Sequence, residues 1–93
     1  MEQINKLKEL INQGEVDKAI EQLDLLLQDS SANKEKEVFY YLRGNAYRKK
    51  EDWKQALDNY QYAIELNPES PALQARAMVI SILEFFHKDM YNQ

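Results

Sequence analysis

The sequence has no cysteine, no threonine, one histidine, two glycines and two prolines in 93 residues. Without cysteine there is no disulfide, and His87 alone cannot complete a zinc ligand set. Glycine and proline together make up about 4% of the chain, against about 12% in average proteins. Sheet proteins need a turn every few residues, usually built from Gly, Pro or Asn. So few breaks imply long helices and exclude an all-β or a doubly wound α/β fold. Cations are also in deficit, 12 Lys and Arg against 16 Asp and Glu. The net charge of −4 removes the sequence-independent attraction on which nucleic-acid binders rely, so no nucleic acid is expected as a partner. No apolar run is long enough to span a bilayer, and Met1-Glu2-Gln3-Ile4-Asn5-Lys6 lacks the apolar core of a signal peptide. These absences lead to the expectation of a soluble cytoplasmic protein without a membrane partner.

Catalytic constellations are missing as well. His87 stands beside Lys88 and Asp89 near the chain end, and Gly14 and Gly44 are too far apart for a phosphate-binding loop. Neither an enzymatic activity nor a cofactor or metal is expected. What is present is a globular balance of 44% hydrophobic and 30% charged residues, arranged with helical period. Ile4, Leu7, Leu10 and Ile11 form the stripe of a first helix that Gly14 stops with a left-handed cap. Val16, Ala19, Ile20, Leu23, Leu26 and Leu27 form that of a second, over residues 16–28. A third, from 34 to 50, carries Val38, Tyr41, Leu42, Ala46 and Tyr47, and ends in Arg48-Lys49-Lys50, where positive charge complements the helix dipole. Asp52 and Gln55 resemble a capping box opening a fourth, which Asn67-Pro68 ends. Ser70-Pro71 then opens a fifth, reaching Tyr91.

The chain repeats itself. Gly14-Glu15-Val16-Asp17-Lys18-Ala19-Ile20 corresponds to Glu51-Asp52-Trp53-Lys54-Gln55-Ala56-Leu57, 37 positions later. Ala19 and Ala56 let the two helices of a hairpin approach closely, while Val16 and Trp53 plug each hairpin's end. The run Tyr40-Tyr41-Leu42-Arg43-Gly44-Asn45-Ala46-Tyr47, followed by Asp52 to Leu57, Tyr60, Ala63 and Asn67-Pro68, resembles one tetratricopeptide repeat of about 34 residues. Tyr40 falls at the family's tryptophan position, Gly44 is the small residue at the helix crossing, and Tyr47, Ala56, Tyr60, Ala63 and Pro68 match in type and spacing. Arg43 departs from the family, which often has leucine there. The resemblance implies an all-α fold of five helices: antiparallel hairpins stacked as a right-handed α-solenoid. It divides the chain into a degenerate first repeat (1–31), a clear one (37–70) and a terminal helix (71–91), all in one domain. The aromatic residues then read as repeat core rather than as a base-stacking surface.

The same resemblance implies a non-enzymatic module that binds a peptide or partner protein on a concave surface lined by the first helix of each hairpin. By repeat register that lining is Asn5, Lys8 and Asn12, then Tyr41, Asn45, Arg48 and Lys49, then Ala75, Arg76 and Val79. Four of these are cationic, which points to an acidic peptide or a C-terminal carboxylate. Asn45 would bond the ligand backbone, and Arg48 and Arg76 its carboxylates. The fifth helix is apolar nearly all round, more than one neighbour can cover. Leu73, Ala77 and Ile80 are expected on the preceding hairpin. Met78 and Phe85 are expected where a further helix is missing, and Val79, Ile82, Leu83 and Phe86 towards the groove. This surface invites a second copy of the chain or a partner's amphipathic helix, unless Met90 and Tyr91 fold back over it.

Overall fold

The computed structural model describes residues 2–29 and 34–86. They form α1 (Glu2–Asn12), α2 (Val16–Gln28), α3 (Lys36–Lys49), α4 (Trp53–Leu66) and α5 (Ala72–Phe86), with no strand among the described residues. α3 starts two residues later than its periodicity predicts because residues 34–35 form a short 3₁₀ turn. The predicted continuation of the last helix to Tyr91, with Met90, lies outside the described residues.

Both hairpins close in the same way. Gly14 adopts φ 87°, its N–H bonds the Ile11 carbonyl, and the Glu15 N–H bonds the Leu10 carbonyl. This is a Schellman closure, which satisfies carbonyls that the helix end leaves unpaired. At α3 the Glu51 N–H bonds the Arg48 carbonyl and the Asp52 N–H that of Tyr47, and Glu51 is left-handed at φ 63°. The 37-residue repeat is thus a repeat of turn geometry, with a glutamate in the place of a glycine. Asp52 Oδ1 accepts from the Gln55 N–H at 3.2 Å, so the N-cap half of the predicted capping box forms. Ser70 Oγ accepts from the Ala72 N–H and caps α5.

The core falls into two clusters. Ile4, Leu7 and Ile11 of α1 and Ala19, Ile20 and Leu23 of α2 close on Phe39, Leu42 and Ala46 of α3. Ala56, Tyr60 and Ala63 of α4 meet Ala72, Ala75 and Val79 of α5. Tyr41 and Tyr47 pack against both clusters, and Val16 and Trp53 flank one each. α3 crosses α4 closely at Gly44, where a Cβ would stand 2.5 Å from Tyr60 Cε1. Arg43 of α3 reaches both neighbouring helices. Its Nε bonds Asp24 of α2 at 2.8 Å, its Nη1 bonds Asn59 of α4 at 3.0 Å, and its guanidinium lies 5.1 Å from the Tyr47 ring centre.

The orientation of α5 corrects the sequence reading. Ala72, Ala75 and Val79 are buried, whereas Leu73 and Ala77 are exposed and Ile80 is half-buried. The helix is turned by roughly 100°, one residue, from the expected register. Small residues explain it: Ala72 and Ala75 share a core with Ala56 and Ala63, so the backbones approach, and Leu73 would hold them apart.

Candidate functional site

The inner helices α1 and α3 enclose two adjoining clefts. One, of about 210 Å³, is lined by Lys8, Ile11, Asn12, Tyr41, Leu42 and Asn45. The other, of about 310 Å³, is lined by Ile11, Asn12, Asn45, Arg48 and Lys49. Ile11, Asn12 and Asn45 belong to both, so the clefts form one groove with Lys8 towards one end and Arg48 towards the other. Helical spacing puts these residues together: Lys8 and Asn12 are i, i+4 on α1, and Tyr41, Asn45 and Arg48 are i, i+4, i+7 on α3. Six of the seven residues predicted to bind a peptide therefore line one continuous surface. Arg76 lines neither cleft, because the rotation of α5 carries it away.

The three consecutive cations at the end of α3 each address a different helix. Arg48 Nη1 donates to Met78 Sδ of α5 at 3.3 Å. Lys49 Nζ donates to the Asn12 carbonyl at 3.1 Å, capping the last turn of α1. Lys50 Nζ pairs with Asp17 of α2 at 2.7 Å, and this hydrogen bond raises the Lys50 pKa above the usual lysine value. The helix-end reading of this basic run was thus incomplete, since the run also joins α3 to its neighbours. At the groove's centre, Tyr60 donates from its hydroxyl to Asn45 Oδ1 at 2.5 Å, and burial pushes its pKa up to about 12. Sequence reasoning had placed Tyr60 only in the core.

The residues expected at an interface divide. Val79 is fully buried and so unavailable to a partner, while Leu83 is half-buried against the second cluster. Ala75, expected in the groove, is buried as well. Met78 is half-exposed and accepts the hydrogen bond from Arg48. Phe85 and Phe86 are 78% and 70% exposed, with their rings edge to face at 4.9 Å. Ile82 and Phe86 form a cleft of about 320 Å³ with Glu51 and Trp53.

Residues 38–70 match the tetratricopeptide repeat family. The chain carries a repeat of this family over α3 and α4. The five helices are two antiparallel hairpins of an α-solenoid, α1–α2 and α3–α4, followed by α5, and the matched residues run from the second residue after the start of α3 to Ser70 at the cap of α5. Repeats of this family are protein–protein interaction modules. Among solved structures, the solution NMR structure of Bacteroides fragilis protein BF1650 is similar over all of this chain and 92% of that one, at 57% identity and a TM-score of 0.85. No curated protein sequence matches the chain. Among the described residues, no cluster of His, Asp or Glu could hold a metal ion, and no helix is long and apolar enough to cross a membrane.

Proposed function

We propose that the chain acts as one domain, a non-enzymatic module that holds an extended acidic peptide, or a C-terminal carboxylate, in the α1–α3 groove. One observation carries this reading: two clefts sharing Ile11, Asn12 and Asn45 join into one groove that has Lys8 and Arg48 near its ends. Asn45 serves the ligand backbone, and Lys8 and Arg48 serve its carboxylates. Lys49 contributes by holding the α1 end that forms the opposite wall. The test is a titration with capped hexaglutamate. Reversing Lys8 and Arg48 to Glu should weaken binding at least about tenfold, since each forfeits a charge-assisted contact of about 1.5–3 kcal/mol. Reversing Lys54, which pairs with Asp58 on α4 outside the groove, should not. Equal affinity for the parent and the Lys8/Arg48 double variant would reject the reading.

A second reading, self-association through α5, is favoured by the exposure of Phe85, Phe86 and Met78 on one helix. Sedimentation of the parent chain beside Phe85→Glu tests it: a concentration-dependent mass that the substitution abolishes is expected, and a monomer in both cases rejects it.

A further inference from the structure

The groove contains one side chain whose polarity is set from behind. The Tyr60 side chain is fully buried, and its ring lies so close over Gly44 that no Cβ would fit there. The ring is therefore fixed in place, and its hydroxyl meets Asn45 Oδ1 at 2.5 Å. Burial keeps this phenol protonated far above neutral pH, so it remains a donor. A side-chain amide has one acceptor oxygen and two N–H donors. With Oδ1 engaged from the α4 side, and no other hydrogen bond of the Asn45 side chain among the described residues, the Nδ2 donors are left for the groove. Asn45 lines both halves of that groove.

We propose that Tyr60 is a positioning residue: it locks the Asn45 amide so that the shared wall of the two clefts presents N–H donors, selecting a ligand segment that offers carbonyl or carboxylate oxygens there. This rests on the groove reading above and adds to it a residue that touches no ligand. Lys8 and Arg48 offer donors only, so the locked amide makes the centre of the groove agree with its ends. An amide turned the other way would set an acceptor oxygen against an oxygen-rich ligand.

Two measurements test the lock and the reading separately. In the ligand-free chain, nuclear Overhauser contacts from the Asn45 Nδ2 protons to Ile11 report the orientation. They are expected in the parent and lost or averaged in Tyr60→Phe, which keeps the ring against Gly44 and so preserves the fold. Nδ2 protons found against the Tyr60 hydroxyl instead, or contacts unchanged in Tyr60→Phe, overturn the proposal. In a capped hexaglutamate titration, Tyr60→Phe and Asn45→Ala should each weaken binding roughly three- to tenfold, the range of one net hydrogen bond. The double variant should be no weaker than Asn45→Ala alone, because one residue acts through the other. Full additivity, or parent affinity in Tyr60→Phe, also overturns the proposal. If the parent binds no hexaglutamate while the Ile11 contacts appear and depend on Tyr60, the peptide reading fails and the lock stands.

Discussion

Glu51 occupies a backbone conformation that its own sequence repeat assigns to glycine. A left-handed residue with a Cβ costs roughly 1–2 kcal/mol, which glycine avoids, offset in part by glycine's greater freedom in the unfolded chain. Glu51→Gly is therefore expected to stabilise the chain by about 1 kcal/mol, raising the melting temperature by about 4–8 °C. Thermal unfolding followed by circular dichroism checks it, and a lower melting temperature contradicts the Schellman closure at α3. Tyr60 gives a second residue-scale expectation. Its folded pKa, about 12, lies above the ordinary tyrosine value of 10.0. The neutral phenol is the form that folding favours, so this contribution is whole below pH 10 and is lost as pH rises from 10 towards 12. The loss approaches about 2–3 kcal/mol. Urea midpoints measured at pH 9 and pH 11.5 should fall more in the parent than in Tyr60→Phe. The left-handed turn at Gly14 was legible directly. That at Glu51 was legible only through the alignment, since glutamate by itself gives no sign of such a turn.

Between elements, Arg43 ties α2 and α4 to α3, and it does so where the family often has leucine. Asn59 is fully buried; its Nδ2 bonds the Gln55 carbonyl at 2.8 Å while Oδ1 depends on Arg43. Arg43→Leu would restore the family's usual residue and strand that oxygen, which costs about 1–3 kcal/mol. A melting temperature lower than the parent's is expected; an equal or higher one would mean that the tie contributes nothing. No local pattern could have disclosed this tie, because the partners lie 19 and 16 residues away. The face of α5 was illegible for another reason: a helix apolar nearly all round carries no periodicity with which to choose a side. Only the small-residue match between Ala72, Ala75, Ala56 and Ala63 selects it, and that is a property of two elements together. By contrast, the clear stripes of α1 and α2 put Ile4, Leu7, Ile11, Ala19, Ile20 and Leu23 in the core as read. Because α5 is the far wall of the second cluster, a 1–70 fragment would bare Ala56, Tyr60 and Ala63. Repeat arrays bury their faces only against neighbours. The fragment should unfold or aggregate, and a monomeric fragment melting like the parent would contradict this account.

Across the whole molecule, an acidic chain carries its cations in the middle. Residues 1–31 and 51–93 each hold 3 cations and 7 anions, and residues 32–50 hold 6 and 2. Half of those six cations are engaged within the fold, Arg43 with Asp24, Lys49 with the Asn12 carbonyl and Lys50 with Asp17. Arg48 and Lys8 line the groove towards its two ends. An acidic peptide therefore meets two opposed fields, repulsion from the net charge of −4 and attraction from the groove cations. Their ranges differ. The Debye length is about 30 Å at 0.01 M salt and about 10 Å at 0.1 M, against molecular dimensions of 45 × 28 × 18 Å. At the lowest salt the peptide feels the whole molecule. Near 0.1 M it feels chiefly the groove, and at 1 M, where the length is about 3 Å, even the groove contacts are screened. Affinity for capped hexaglutamate is thus expected to rise and then fall with salt, with its maximum near 0.1 M. In the Lys8/Arg48 charge-reversed chain only the rise should remain, because repulsion is then the sole electrostatic force left to screen. A parent affinity that climbs steadily to 1 M would remove Lys8 and Arg48 from recognition. One that falls from the lowest salt onward would mean that the net charge is not felt at the groove.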